Sequence, residues 1–209
     1  IGASLPVTEP VGTMIVDIGG GTTEVAVLSL GGTVVSESLR IAGDEINDSI
    51  SSYLKKKHSM AVGERTAEKI KIKIGSAFPD ENFDNTTFEV RGLHLSSGLP
   101  RSITLTSGEV REAMSDPLNK IVDSIKRTLE RTPPELAADI VERGIMLAGG
   151  GALIRGVNDL VTKETGIFTH IAEDPLLCVV NGCGEILDDF RKLKRIVDTI
   201  DVGTTSVRN

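Results

Sequence analysis

Ile15-Val-Asp-Ile-Gly-Gly-Gly-Thr-Thr-Glu-Val-Ala-Val-Leu28 decides the fold of this chain. An aspartate ends one strand-like run, three glycines follow, and two threonines open a second run. Glycines let the backbone turn tightly and bring bare amide N–H groups close to a ligand. An aspartate beside such a turn can hold a cation, directly or through water. The combination suits a phosphate tail with Mg²⁺. Two other phosphate loops are excluded. No lysine follows Gly21, so there is no Walker loop. The residues from Thr22 to Leu30 are rich in β-branched types and read as a strand, whereas a dinucleotide fold needs a helix there. The same residues also fit an ordinary glycine hairpin with a chance aspartate.

Outward from this hairpin, residues 13–18, 22–30 and 33–41 read as an antiparallel meander. Asp44 to His58 reads as a helix, with Ile46, Ile50 and Leu54 four apart and lysines at its C-terminal end. Gly63 to Gly75 alternates in its second half but carries helix formers in its first; helix is the preferred reading. Thr86 to Leu93 and Arg101 to Thr106 read as paired strands. Thr106-Ser-Gly-Glu109 is a capping box opening a helix toward Arg131, in which Pro117 implies a kink or a fresh start. Thr132-Pro-Pro-Glu135 reads as a second capping box with Pro133 at the first helical position, and that helix ends near Gly144. Ile145 to Ala148 is a short buried strand, followed by Gly149-Gly150-Gly151 and a helix from about Arg155. Asp174-Pro175 caps a helix interrupted at Gly182 and Gly184. Glu185 to Ile200 reads as an amphipathic helix, with a disordered tail from Asp201 to Asn209. The order of elements is α/β with an insertion from about Gly43 to Arg131.

The bulk numbers bound the class. The chain has 209 residues, 39% hydrophobic and 25% charged, which suits a soluble globular protein. Aromatics are only 3%, so the core must be aliphatic. A net charge of -7 argues against general nucleic-acid binding. Cys178 and Cys183 fit neither a zinc nor a Cys-x-x-Cys spacing and read as thiols of a reducing cytosol. No apolar run is long enough to span a bilayer. Ile1 is no natural initiator, so a fragment is expected.

The second triad, Gly149-Gly150-Gly151-Ala152, lets a ring or sugar lie against bare backbone beside a helix start; a tight strand-to-helix turn explains it as well. Between the triads lies Glu68-Lys-Ile-Lys71. On a helix Glu68 and Lys71 share a face and can hydrogen-bond both ribose hydroxyls, although a surface ion pair is the commoner use of such residues.

Together these features resemble the actin, sugar-kinase and DnaK-chaperone superfamily. Asp17-Ile-Gly-Gly-Gly-Thr22 looks like its second phosphate loop, Gly149 to Ala152 like its adenosine loop, and Val179-Val-Asn-Gly-Cys-Gly-Glu185 like its second hinge. Within the superfamily, Gly2-Ala-Ser-Leu-Pro6, Val16 to Val27, Gly63-Glu-Arg-Thr-Ala-Glu-Lys-Ile-Lys71 and Ile145 to Ile154 are similar to the MreB family of bacterial actins that set rod shape.

The resemblance implies an actin-like, ribonuclease H-like ATPase domain, second half only. Residues 1–42 and 132–184 would form the core and 43–131 an inserted α+β subdomain. Residues 185–209 would be a helix and tail packing on the first half. It implies ATP and Mg²⁺ as cofactors, with Asp17 placing the metal. Gly19, Gly20, Gly21 and Thr22 would bind phosphates. The segment Glu68, Lys69, Ile70 and Lys71 would meet the ribose, and Gly149, Gly150, Gly151 and Ala152 the adenosine. It also implies a cytoplasmic, membrane-associated protein that self-associates into filaments, works with the cell-wall elongation machinery and binds no nucleic acid. The first phosphate loop and the water-activating glutamate would precede Ile1, so this polypeptide alone would neither hydrolyse ATP measurably nor form normal filaments. The helix face carrying Ile186, Phe190, Leu193 and Val197 would be exposed. Rival readings are a sugar or acetate kinase, for which no substrate-base constellation is found, and a chaperone-type ATPase.

Overall fold

The computed structural model describes residues 1–188. Three strands, β1 (Thr13–Ile18), β2 (Thr23–Ser29) and β3 (Gly32–Leu39), form the expected meander. Helix α1 (Gly43–His58), the short strand β4 (Met60–Ala61) and helix α2 (Glu64–Ile74) follow. Next come β5 (Thr87–His94), β6 (Pro100–Thr106), α3 (Ser107–Glu130) and α4 (Pro134–Arg143). The chain continues through β7 (Ile145–Ala148), a 3₁₀ turn (Gly150–Leu153), α5 (Val157–Thr165), β8 (Thr169–Ile171) and α6 (Cys178–Asp188). Five strands make one sheet in the order β3-β2-β1-β7-β8, and β4-β5-β6 make a second. β1 runs antiparallel to β2 but parallel to β7, with Asp17 opposite Ala148.

Period-2 alternation sorts the central strands into two faces. Met14, Val16, Ile18, Ile145 and Leu147 are buried in the main core with Ile46, Ile50 and Leu54 of α1. Each such side chain contributes about 1.5–3 kcal/mol by leaving water. Ile15, Met146 and Ala148 lie on the opposite face, in a small cluster with Cys178 of α6. Asp17 shares that second face, at the C-terminal end of β1.

The ambiguous segment is helical because Ala67, Ile70 and Ile74 fall on one buried stripe. Both reciprocal bonds of the capping box form at Thr106 and Glu109. Pro117 starts no new helix. The 24-residue α3 runs through it, because Met114, Leu118 and Ile121 are buried around it and their packing outweighs the ~3 kcal/mol cost of the missing N–H. α3 packs on both sheets, and its Arg127 pairs with Glu37 of β3. It therefore ties the 43–131 segment to the core layer.

Three local expectations are corrected. The Thr132 capping box does not form. Its hydroxyl donates instead to the Thr128 carbonyl at 2.8 Å, satisfying an orphan acceptor of α3, and Pro134 rather than Pro133 opens α4. The helix expected from about Arg155 starts at Val157, because Ile154 is extended and Gly156 takes a left-handed φ of 71°. α6 runs unbroken through Gly182 and Gly184. Gly182 serves close approach instead: a Cβ there would sit 3.0 Å from the Gly2 nitrogen. Residues 185–188 belong to this same helix; Phe190, Leu193, Val197 and the expected tail lie outside the described residues. No described helix is long and apolar enough to cross a membrane.

Candidate functional site

The turn after β1 is closed by Gly19 N–H donating to the Thr22 carbonyl at 2.9 Å. The start of α1 is pinned to it. Gly43 N–H donates to the Gly19 carbonyl at 3.1 Å and Asp44 N–H to the Gly20 carbonyl at 2.8 Å. Lys71 of α2 reaches the same point, its Nζ donating to the Gly43 carbonyl at 3.0 Å. One ammonium thus connects α2 to the glycine turn.

The second triad meets the first. Gly149 has φ +79° and ψ 171°, a region open essentially to glycine alone. A Cβ there would press on Asp17 Oδ1 and the Ile18 carbonyl oxygen, and would stand 2.7 Å from the Ile18 carbonyl carbon. Gly151 packs as closely, 2.6 Å from Ile18 Cβ by the same construction. The register explains this: β1 and β7 are parallel neighbours, so the turns leaving their C-terminal ends emerge side by side.

The result is a cleft of about 920 Å³ lined by both turns, the start of α1, one face of α2 and the 3₁₀ turn. Asp17, Gly19, Gly20, Glu68, Lys71 and the three glycines Gly149 to Gly151 line it. The other expected residues do not. Ile70 and Ala152 are fully buried in the core. Lys69 is exposed on α2, and Gly21 and Thr22 are exposed on the turn, all three outside the lining. The helical period accounts for α2: Glu68 and Lys71, three apart, share the cleft face, while the two residues between them turn away.

Several lining residues were not singled out from the sequence: Asp44, Ile72, Phe83, Leu153, Arg155 and Leu176. Asp44 follows Gly43 at a helix start, which was a usable signal. Phe83 arrives through a long loop and left no local trace.

Electrostatics give the cleft two charged poles. Burial, and then the neighbouring Glu24 charge, raise the Asp17 carboxyl above its ordinary value. A cation beside it would relieve both penalties. Burial lowers the Lys71 ammonium, against the pull of Glu68 and Asp44. Among the described residues no group of three or more His, Cys, Asp or Glu side chains could hold a metal.

The sheet order and the two-loop cleft define an actin-like α/β domain of the ATPase superfamily. The model of the MreB/Mbl protein family matches residues 1–195, and the chain belongs to that family. It is 52% identical over 188 residues to the cell shape-determining protein MreB of Escherichia coli K12, covering 90% of this chain and 54% of that one. It is 46% identical over 195 residues to the cell shape-determining protein Mbl of Bacillus subtilis, covering 93% and 58%. The chain thus spans about half the length of these curated relatives. The crystal structure of MreB5 of Spiroplasma citri bound to ADP superposes with a TM-score of 0.87 at 38% identity, over 93% of this chain and 58% of that one. A MamK double helical filament, at 22% identity and a TM-score of 0.68, shares the fold. None of these relatives is a kinase or a chaperone.

Proposed function

We propose that this protein is an actin-like cytoskeletal protein that binds ATP with Mg²⁺ in the 920 Å³ cleft and assembles into filaments that direct cell shape. One observation carries the reading: the Gly149 backbone lies against Asp17, so a phosphate turn and a nucleoside platform share one wall. Gly19 and Gly20 meet the phosphates with bare backbone. Glu68 accepts from one ribose hydroxyl and Lys71 donates to the other. Gly149 to Gly151 receive the adenosine. Asp17 holds the metal, which neutralises phosphate charge when bound. Lys71, already bound to the Gly43 carbonyl, links ribose occupancy to the turn that grips the phosphates. That the MreB5 relative was crystallised with ADP and with AMPPNP supports an adenine nucleotide here. Work in the cytoplasm, beneath the membrane and with the cell-wall elongation machinery, belongs to the same proposal; the relatives' names support its cell-shape part alone.

The test is calorimetric titration with ATP, with and without Mg²⁺, of a full-length protein carrying this chain together with the first half that its relatives have, followed by sedimentation. Saturable binding that Mg²⁺ strengthens, and ATP-dependent pelleting, are expected. Absence of binding at millimolar ATP overturns the reading.

A further inference from the structure

We propose that Arg111 of α3, which lies outside the cleft, is a positioning residue for it: by clamping Asp84 it holds Phe83 in the wall that the nucleoside end of a bound nucleotide meets. The inference rests on the nucleotide reading of the cleft and deepens it.

Beyond Lys71 the cleft wall is apolar. Ile72 of α2 and Leu153 of the 3₁₀ turn line it, each on a regular element. Phe83 completes this wall from the 75–86 loop, which has no helix or strand of its own. Phe83 N–H and Asp84 N–H both donate to the Asp80 carbonyl, at 2.9 and 2.7 Å, so residues 80–84 form one tight turn. Ordering such a turn against the rest of the molecule costs backbone entropy, which outside contacts must offset.

Two arginines supply those contacts, from different parts of the chain. On the core side the Arg155 guanidinium carbon lies 4.0 Å from the Phe83 ring centre. Its Nη1 stands 3.8 Å from Asp80 Oδ2, an ion pair too long for a hydrogen bond. On the α3 side the grip is tighter. Arg111 Nη1 donates to Asp84 Oδ1, and Nη2 donates to Oδ2 at 2.9 Å. The two side chains are only 24% and 26% exposed, so water competes weakly for the pair. Donation from Arg111 holds the Asp84 carboxyl below its ordinary value, against the effect of burial. A planar fork on a planar carboxylate fixes orientation as well as distance.

Backbone bonds alone do not do this. Gly108 N–H donates to the Asp84 carbonyl at 3.2 Å and Ser107 N–H to the Thr86 carbonyl at 2.9 Å. Both tie the exit of the loop to the start of α3 and leave the turn before it free to pivot. The fork removes that pivot. Asp84 follows Phe83 directly, so an oriented carboxylate sets the direction in which the ring leaves the backbone. Without the fork the turn spends only part of its time with the ring in the wall, and affinity falls by that fraction.

The test displaces fluorescently labelled ATP from a full-length protein carrying this chain, in Mg²⁺ buffer, with unlabelled ATP and with tripolyphosphate, which has no sugar or base. Arg111→Met keeps the stem and loses the fork. Asp84→Asn keeps an acceptor for Asp80 N–H, 3.3 Å from Oδ1. Each is expected to weaken ATP about threefold or more. The double variant should bind no more weakly than the poorer single one, because both remove the same contact. Tripolyphosphate should stay within about twofold of wild type, since the Gly19–Gly20 turn is untouched. Lys126→Met breaks a different ion pair of α3, with Glu164 at 2.7 Å, and should leave ATP within about twofold. A loss below about threefold in either single variant, losses that multiply in the double variant, or an equal loss for tripolyphosphate or from Lys126→Met overturns the inference and leaves the nucleotide site standing. Failure of the wild-type protein to bind ATP strikes the underlying reading instead.

Discussion

Replacing Gly149 by alanine tests the contact on which the site is built. Two costs combine. The backbone at φ +79° and ψ 171° is closed to residues with a Cβ, at about 1–3 kcal/mol. The new methyl also collides with Asp17 and with the Ile18 carbonyl of a central strand, and forced overpacking of this kind costs about 1–3 kcal/mol. A loss of about 4 kcal/mol is expected, a large fraction of the 5–15 kcal/mol typical of a domain. At about 2–4 °C per kcal/mol for this size, the melting temperature falls by about 8–16 °C. The neighbouring Gly150→Ala is the control. Its φ is not positive, and its Cβ would meet only Leu176 Cδ2, at 3.3 Å, the far end of an exposed side chain. It should stay within about 1 kcal/mol of wild type. The assay is thermal unfolding followed by circular dichroism, with and without MgATP. Gly149→Ala should also lose the stabilisation given by MgATP at temperatures where it is still folded, because Asp17 is displaced. A Gly149→Ala protein as stable as wild type, or a Gly150→Ala protein equally damaged, refutes the reasoning.

Three further outcomes follow from single contacts. Lys71→Ala should weaken nucleotide binding by about tenfold or more, having lost a charged donor, whereas Lys69→Ala on the outer face should change it less than twofold by the same titration. For Asp17 the sign is set by its raised carboxyl: relative to a group with no shift, it favours the fold in acid and loses that contribution as pH rises through its folded value. Asp17→Asn should therefore match or exceed wild-type urea midpoints at pH 7 without nucleotide, yet gain little from MgATP; a less stable variant at pH 7 would contradict this. Thr106→Ala breaks the capping box of α3 and should cost about 0.5–2 kcal/mol in chemical denaturation without altering nucleotide affinity.

What the sequence made legible was whatever depends on local backbone chemistry. Glycine punctuation marked the β1–β2 turn and the turn after β7, and i, i+4 spacing marked α1. The three-residue β8 is too short for a period to show and exists by pairing with β7. The reading of Thr132 failed because the hydroxyl had a better acceptor in the preceding helix than in its own. As a contiguous segment Glu68 to Lys71 reads as one ligand stretch, but helical geometry turns Lys69 and Ile70 away from the cleft. Phe83 and Arg155 were out of reach for another reason. They meet through the 75–86 loop, whose course is set by long-range contacts such as the Asp84–Arg111 ion pair.

The meeting of the two glycine turns lies between these cases. Neither triad says where the other is. The burial pattern supplies the missing step. The apolar run from Ile145 to Ala148 reads as a strand buried on both faces, which belongs inside a sheet rather than at its rim. β1 has β2 on one side, so its other side is the central place left for β7. A strand that arrives there after a helical excursion returns parallel. Parallel neighbours in register end together, and Asp17 opposite Ala148 puts each glycine turn one residue or two beyond the same level of the sheet. The cleft is therefore a consequence of strand order, and the ligand chemistry is added by residues that this order brings to its rim. By this logic, shortening or shifting β7 by one residue would move Gly149 off Asp17 and abolish nucleotide binding, even with every residue of both triads intact.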